Sequence, residues 1–494
     1  MLTLDQIIQI TQPRLVSGTH CQPTGKVTDD SRKVEAGDIF VAVRGFTFDS
    51  HKFIPQVLNM GVAVVISEEF YESDDVCILV VSDTRKVLGP LMLAYVGNPQ
   101  KQLQLIGVTG TNGKTTVSTL IWQALTSLNV KTALIGTVEK AFGNEKYTSL
   151  LTTPGAAELA SDLRKAVDLG CTHFVMEVSS HALHQQRTNG LNFDVAIFTN
   201  LSHDHLDYHH SVEEYANAKK LLFDNLHEDA VAIVNTDDIV GERMISDCRA
   251  NIWDLTLADD DYRIAMMDAS GLLIDMDGIY IKSPLTGKFN AYNVAQAFLA
   301  CIAIGLSPRN VAQALESCTG AAGRMENVSI NLPAENGPYP MVFVDFAHTP
   351  DALENVLKTL QEVRKAGQVI HTVFGCGGDR DRTKRPEMAK IAARYSHKCI
   401  VTSDNPRFED PDAIIDEVCT GFSSDTKYDR YTDRKVAIKT AIAQADANTI
   451  VLVAGKGHET YQEIKGNRYP MDDREICLSA LKNYKIPVLN KEGR

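Results

Sequence analysis

From residue 103 onward, short apolar runs alternate with longer stretches whose apolar residues recur at helical spacing, and that order narrows the possible folds sharply. The runs include Leu105-Ile-Gly-Val108, Phe174-Val-Met176, Val195-Ala-Ile-Phe198 and Val231-Ala-Ile-Val234. Further on come Met341-Val-Phe-Val344, Val369-Ile-His-Thr-Val-Phe374, Cys399-Ile-Val-Thr402 and Ile450-Val-Leu-Val453. Between the first two, Val117, Leu120, Ile121, Ala124, Leu125 and Leu128 fall at i, i+3, i+4, i+7, i+8 and i+11, which is one helix face. Leu159, Leu163 and Val167 repeat the pattern, with Gly170 where a helix would be capped. Strand–helix alternation predicts an α/β chain built on mostly parallel sheets with helices on both faces.

Residues 1–98 hold β-rich runs of their own, Asp38-Ile-Phe-Val-Ala-Val43, Val62-Ala-Val-Val-Ile66 and Cys77-Ile-Leu-Val-Val81, with helical stretches between them. They predict a small α/β domain. Val96-Gly-Asn-Pro-Gln-Lys-Gln102 reads as a linker and Leu332-Pro-Ala-Glu-Asn-Gly-Pro338 as a second loop. The expected domains are therefore 1–98, 99–333 and 334–494. At roughly 100–200 residues per domain, 494 residues make about three. The run Ala297 to Leu306 reads as a buried helix.

Composition narrows the function classes. With 44% hydrophobic and 23% charged residues the chain is not wholly disordered. Lys+Arg 49 against Asp+Glu 63 gives −14, which disfavours a general nucleic-acid binder but leaves room for a local basic site. Ten cysteines stand singly with no CxxC pair, so neither a zinc ribbon nor a secreted disulfide scaffold is indicated. The start, MLTLDQIIQITQPR, lacks the order of a signal peptide, and no uncharged apolar run reaches the about 18 residues of a membrane span. A soluble cytoplasmic protein without membrane or nucleic-acid partners is expected.

Polar clusters follow the strands, where open parallel sheets bind ligands. Gly107-Val-Thr-Gly110-Thr111-Asn112-Gly113-Lys114-Thr115-Thr116 lies between a strand and a helix. Its glycines would let the backbone approach phosphate oxygens, Lys114 would neutralise β/γ-phosphates and Thr115 would ligate Mg²⁺. The spacing departs from the standard phosphate loop, whose first Gly would fall at Val108; the bland alternative is a tight turn containing GKT. Glu177-Val-Ser179-Ser180-His181 could bring a carboxylate to a metal or be a capped turn; the G-x-S-x-G elbow of hydrolases is missing. Thr199-Asn-Leu-Ser-His203-Asp-His205-Leu-Asp-Tyr-His209-His210 offers histidines, but without cysteines a dedicated zinc site is weakly supported. Ala218-Lys219-Lys220 reads as an ordinary helix with exposed lysines. The last section ends its strands in Asp345-Phe-Ala-His348, Gly375-Cys-Gly-Gly-Asp-Arg380-Asp-Arg-Thr-Lys384-Arg385, Asp404-Asn405-Pro406-Arg407 and Gly455-Lys456-Gly-His-Glu459. This local basic patch suits a small molecule bearing carboxylate or phosphate.

Together GVTGTNGKTT, MEVSSH, TNLSHDHLDYH, GRMENV and DFAHTPDAL resemble, in order and over essentially the whole chain, the signatures of the Mur ligase family, the ATP-dependent amide-forming enzymes of peptidoglycan synthesis. The resemblance implies a small N-terminal domain that binds a UDP-sugar, a central ATPase-like domain with a phosphate loop, and a C-terminal Rossmann-like domain that binds an amino acid. Asp30-Ser31-Arg32, FGCGGDRDRTKRP, DNPR and AGKGHE are similar to the branch that adds meso-2,6-diaminopimelate to UDP-N-acetylmuramoyl-L-alanyl-D-glutamate. Lysine-adding relatives typically carry another residue in place of the arginine of DNPR.

The resemblance also implies roles. Gly110, Thr111, Asn112, Gly113, Lys114, Thr115 and Thr116 match the ATP-phosphate loop. Thr115, Glu177, His205 and Lys219 match the Mg²⁺ positions, Lys219 as a carbamate, since a cationic lysine cannot ligate Mg²⁺. Lys114, Glu177, His205 and Lys219 form the catalytic set. Asn290, Arg324 and Asp345, with His348 beside them, match positions holding the nucleotide. Asp29, Ser31, Phe46, Thr47 and Phe48 would hold the UDP-sugar, and Thr152, Thr153, Ser179, Gln185 and Arg187 its muramoyl-peptide part. Arg380, Asp404, Asn405, Pro406, Arg407, Gly455 and Glu459 match the diaminopimelate pocket. Leu151, Ala182, Phe346 and His210 depart from commoner family residues at peripheral positions.

The implied reaction follows from carboxylate chemistry: a free carboxylate is a poor acylating agent, because its leaving group would be oxide. The γ-carboxylate of D-Glu therefore attacks the γ-phosphate of ATP, giving an acyl phosphate and ADP, and the incoming amine displaces phosphate. Arg407 and Arg380 would clamp the distal carboxylate of diaminopimelate while Glu459 accepts from its ammonium. Lysine, without that carboxylate, would leave Arg407 unpaired. Rival readings are the lysine-adding form, a folylpolyglutamate-synthase-like ligase and a nucleotide-binding regulator without turnover. The second does not account for DSR together with DNPR, and the third has no need of Glu177, His205 and Lys219 together. A monomer acting on small molecules is expected.

Overall fold

The computed structural model describes residues 1–18, 22–45, 48–202, 204–259, 261–330, 332 and 339–484, with Leu206 by backbone alone. Phe46, Thr47, His203 and most of the second predicted loop lie outside the described residues. By packing, the chain divides into two compact units, Met1–Thr256 with Leu299–Ser307, and Leu257–Phe298 with Pro308–Arg494.

The first unit carries two sheets. The N-terminal sheet runs in the order Leu15–Ser17, Cys77–Val80, Val64–Ser67, Ile39–Val41, Val27–Thr28, and all its pairs but the first are parallel. The predicted linker contains a 3₁₀ turn, Pro99–Gln102. The larger sheet has the order Asn251–Leu255, Val231–Asn235, Val195–Phe198, Gln104–Thr109, His173–Glu177, Thr132–Ile135, Glu139–Phe142, Glu145–Thr148. Its first six strands are parallel and the last two form an antiparallel edge. Ile106 sits in register between Val175 and Val195, so Thr109, Glu177 and Phe198 end side by side.

The helices follow the periodicities. Lys114–Ser127 buries Val117, Leu120, Ile121, Ala124 and Leu125. Ala156–Asp168 buries Leu159 and Leu163, and Gly170 follows it with φ +76° and its N–H on the Val167 carbonyl. The buried helix expected at Ala297 to Leu306 is Lys288–Ala303, longer at its start and stopped by a turn at Gly305.

In the second unit a sheet runs Glu326–Asn327, Met341–Asp345, Thr449–Ala454, Val369–Phe374, Lys398–Thr402, Tyr428–Tyr431, parallel apart from the first pair. Beside it stand a three-stranded antiparallel sheet within 262–283 and a hairpin, Tyr461–Ile464 with Asn467–Pro470. The hairpin does not follow from the apolar pattern, since its strands are polar or half-exposed, and in the three-stranded sheet only the middle strand, Gly271–Met276, is largely buried, with Leu272, Ile274 and Met276 inside. All nine described cysteines are free, and among the described residues no helix is long and apolar enough to cross a membrane.

One buried ion pair fastens the second unit. Arg434 opens the helix Arg434–Ala443 and Asp473 opens Asp473–Lys482. Arg434 donates from Nε to Asp473 Oδ1 at 2.9 Å and from Nη2 to Oδ2 at 2.7 Å, with both side chains fully buried. Nη2 also donates to the Ala454 carbonyl at 2.9 Å, so the pair joins two helices to a strand end. Removing one partner strands a buried charge. Asp473→Asn should lower the unfolding free energy of this unit by about 3–5 kcal/mol, read from urea midpoints; a change below about 1 kcal/mol would contradict a fastening role.

Candidate active site

The glycine-rich segment forms a tight loop between the strand Gln104–Thr109 and the helix Lys114–Ser127. Gly110 has φ +146°, and a Cβ there would lie 1.9 Å from Thr199 Oγ1, so no other residue fits without a backbone shift. Thr199 and Asn200 brace the loop: Thr199 Oγ1 donates to the Asn112 carbonyl at 2.6 Å, and Asn112 N donates to Asn200 Oδ1 at 3.0 Å. Thr111 N donates to the Asn200 carbonyl at 2.8 Å. Neither residue had an expected role; their place after the strand Val195–Phe198, paired with the loop's own strand, was the available signal.

Two lysines converge on this loop. Lys114 Nζ donates to the carbonyls of Gly110 and Thr111, each at 2.8 Å. Lys219 Nζ donates to the same Gly110 carbonyl at 2.7 Å and lies 4.3 Å from the centre of the Tyr215 ring. Lys219 is 1% exposed, which overturns the expectation of an ordinary solvated lysine: it faces inward on Val212–Asp224, while Lys220 pairs outward with Asp224 and Asp247. Burial pushes the Lys219 amine well below its usual range, and the charge of Lys114 adds to the effect.

Glu177, at the end of its strand and 1% exposed, accepts from Thr115 Oγ1 at 2.9 Å. It also accepts from Thr137 N at 2.7 Å and Thr137 Oγ1 at 3.1 Å. Thr137, missed in the sequence, follows the neighbouring parallel strand Thr132–Ile135. The expected muramoyl-peptide residues continue from there. Thr152 Oγ1 lies 3.0 Å from Thr137 Oγ1, Thr153 Oγ1 donates to the Glu177 carbonyl at 2.8 Å, and Ser179 N donates to Thr153 Oγ1 at 3.0 Å. Arg187 donates to the Thr153 carbonyl at 2.9 Å and to Gln185 Oε1 at 2.6 Å.

His205 is half-exposed, at φ +53°, with its ring 4.8 Å from His181 and 6.1 Å from Tyr215. The Tyr215 ring neighbours both His205 and the Lys219 amine. Among the described residues no group of three His, Cys, Asp or Glu side chains stands close enough to hold a metal. Ser180 and His209 share a 2.9 Å hydrogen bond, but both are buried, so they offer no nucleophile to a substrate. Burial and the surrounding histidines lower His209 to about 4. Asp29 and Ser31 follow the strand Val27–Thr28, and Phe48, stacked at 5.2 Å on Phe53, follows its parallel neighbour Ile39–Val41.

In the second unit the strand ends carry the remaining residues. Asp345, buried, accepts from Met325 N and Ala347 N, both at 2.7 Å. Burial raises its pKa, and the Arg324 charge opposes the rise. The Arg324 guanidinium sits 5.0 Å from the Phe346 ring centre, and His348 stacks on Phe346 from 4.6 Å. Asn290, buried, donates to the Thr286 carbonyl and accepts from Asn293, each at 2.9 Å.

The expected amino-acid pocket forms a connected set. Asn405 Nδ2 and Lys456 Nζ both donate to Glu459 Oε2 at 2.9 Å, and Lys456, fully buried, also donates to Asn405 Oδ1 at 2.9 Å. Lys456 had no expected role, although it lies within the AGKGHE motif. Asp404 Oδ2 is buried without a hydrogen-bond partner, and a Cβ on Gly455 (φ +121°) would lie 2.6 Å from it. Arg407 and Arg380 flank Gly377, whose Cβ would lie 2.9 Å from Arg407 Nη1 and 3.8 Å from Arg380 Cγ. Arg407 is not unpaired: Nη1 donates to the Gly378 carbonyl at 2.8 Å and Nε lies 3.6 Å from Glu463 Oε2. Arg385, fully buried, ties this region down by pairing with Glu409 at 2.8 Å and Glu417 at 2.7 Å. That pairing holds Glu409 at about 2.

Known proteins share this organisation. The chain matches the catalytic domain of the Mur ligase family over residues 26–96, the Mur ligase middle domain over 108–301 and the Mur ligase glutamate ligase domain over 323–457. It is 44% identical over 474 residues to the UDP-N-acetylmuramoyl-L-alanyl-D-glutamate--2,6-diaminopimelate ligase of Cytophaga hutchinsonii, covering 94% of this chain and 96% of that one. It is 39% identical over 489 residues to the ligase of the same name from Phocaeicola vulgatus, covering 98% and 100%. A solved structure of a ligase of that name aligns with a TM-score of 0.73 at 34% identity over 98% of this chain and 99% of that one. The three family matches and the similarity to these relatives over nearly the full length agree, and the chain belongs to the Mur ligase family.

Proposed function

We propose that the chain is an ATP-dependent ligase that joins meso-2,6-diaminopimelate to the D-glutamate of UDP-N-acetylmuramoyl-L-alanyl-D-glutamate in peptidoglycan precursor synthesis. The observation that carries the reading is its near full-length likeness to relatives named for that reaction. The Asp404, Arg407 and Glu459 set gives it a chemical basis. Diaminopimelate has two amino-carboxylate ends, so besides the reacting end the pocket must meet one ammonium and one carboxylate. Asp404 Oδ2 and Glu459 supply acceptors for the ammonium, and Arg407 with Arg380 supplies donors for the carboxylate.

On this reading the loop N–H groups from Gly110 to Thr116 and the Lys114 ammonium hold the ATP phosphates at the helix start. Thr115 and Glu177 present hydroxyl and carboxylate oxygens, the donor type that Mg²⁺ prefers. Lys219 fits the set only as an anion. A neutral amine can attack CO₂: the N–C bond forms, the nitrogen loses a proton, and an N-carboxylate results. Burial pushes the Lys219 amine well below its usual range, toward the neutral form that reaction needs. Bound among these oxygens, Mg²⁺ would draw charge off the phosphoryl group as it transfers. The remaining work is positioning the D-Glu carboxylate and the amine, for which Thr152, Thr153, Ser179, Gln185 and Arg187 form a hydrogen-bonded floor. The protein would act as a cytoplasmic monomer on small molecules.

The direct test is phosphate release from ATP and Mg²⁺ with the UDP-muramoyl dipeptide, comparing meso-diaminopimelate with L-lysine. Release is expected with diaminopimelate and little with lysine; preference for lysine, or release without the dipeptide, would overturn the reading. Arg407→Ala should raise KM for diaminopimelate by about 10- to 100-fold while KM for ATP holds; equal losses would remove the pocket assignment. Lys219→Ala should cost about 10²–10³ in kcat, with part regained in added formate or acetate, and full activity would exclude the carbamate.

A further inference from the structure

We infer that Glu463 is a specificity-setting positioning residue, whose carboxylate competes for Arg407 with the distal carboxylate of diaminopimelate. The inference rests on the pocket reading above and adds a residue that reading lacks.

Glu463 lies on the first strand of the hairpin Tyr461–Ile464 with Asn467–Pro470. The hairpin grips the Asp404–Arg407 segment through four hydrogen bonds, two between backbone groups and two between a backbone group and a side chain. Arg407 N donates to the Glu463 carbonyl at 3.0 Å, and Lys465 N donates to the Arg407 carbonyl at 2.7 Å. Glu463 N donates to Asn405 Oδ1 at 2.9 Å, and Gln462 Nε2 donates to the Asp404 carbonyl at 2.6 Å. These bonds hold Arg407 at φ +51°, a left-handed conformation that a non-glycine residue keeps only when its surroundings enforce it.

The Glu463 side chain does something separate. Its Oε2 stands 3.6 Å from Arg407 Nε, with the two side chains 25% and 19% exposed. Arg468, directly across the hairpin from Glu463, is instead placed 4.3 Å from the Tyr461 ring centre. Arg407 has five N–H donors, and its contacts with Gly378 and Glu463 leave others for a carboxylate. A substrate carboxylate entering beside Gly377 would thus share, or take over, a guanidinium that already has an anion next to it. Two consequences follow. Lysine does not leave Arg407 bare, so rejection of lysine is weaker than an unpaired arginine would give. Diaminopimelate binds less tightly than Arg407 alone would allow, because a second carboxylate stands close to its own.

Glu463→Gln removes the charge and keeps the side-chain size and every backbone bond of the hairpin. Compared with the unmodified full chain, it should lower KM for meso-diaminopimelate about three- to five-fold, leave KM for ATP in place and raise the preference for diaminopimelate over lysine. Glu463→Asp, which keeps the charge on a shorter arm, should fall between the two. An unchanged or higher KM for diaminopimelate in Glu463→Gln, with Arg407→Ala still selectively impaired for that substrate, would overturn this inference and leave the pocket standing. Equal impairment of diaminopimelate and ATP use by Arg407→Ala would overturn both.

Discussion

The Gly110 carbonyl accepts from two lysines, Lys114 at 2.8 Å and Lys219 at 2.7 Å, and much of the first unit is arranged around that point. Two ammonium groups sharing one oxygen repel each other, and the cost falls hardest on the one with less solvent. Lys219, on the inner face of its helix, is that one: burial and the Lys114 charge push its amine well below the usual range. Lys114 stands at the start of its own helix. The turn that makes this convergence possible needs glycine at 110, because Thr199 occupies the space of a side chain. On the other side of the loop, Glu177 holds Thr115 and is itself held by Thr137. Two lysines and a carboxylate are thereby set around one helix start by hydrogen bonds.

The second unit solves a related problem with buried charge pairs. Its parallel strands deliver Asp345, the Gly375 loop, Asp404 and Gly455 to one end of a sheet. Loops so rich in charge need fastening, and three pairings supply it. Arg434 with Asp473 anchors the strand before Gly455, Arg385 with Glu409 and Glu417 anchors the segment around Gly377, and Lys456 with Glu459 orients Asn405. Such pairs add little net stability over apolar packing, but a pair broken on one side costs a great deal. They therefore serve to fix the geometry of the loops at this end of the sheet.

The sequence made the strands legible wherever they were apolar and parallel, since burial on both faces leaves continuous apolar runs such as Val195–Phe198 and Thr449–Ala454. It concealed the hairpin at 461–470, whose residues are charged, tyrosine or half-exposed and alternate with no apolar face. Motif residues at strand ends were legible because the fold class says where ligands bind. Partners that act through them were not: Thr137, Lys456 and Glu463 have no distinguishing spacing and matter only through contacts made across the sheet or the hairpin. Lys219 shows the same limit, since helical periodicity alone did not separate it from Lys220, yet one is buried at 1% and the other pairs with surface aspartates.

A buried lysine kept uncharged so that it can become an anion is the central claim, and it can be observed on the resting protein. The protein would be equilibrated with ¹³C-bicarbonate and its ¹³C NMR spectrum recorded beside that of Lys219→Ala. The account requires a carbamate carbon resonance in the unmodified protein that disappears in the variant. Identical spectra, with no such resonance in either, would contradict it.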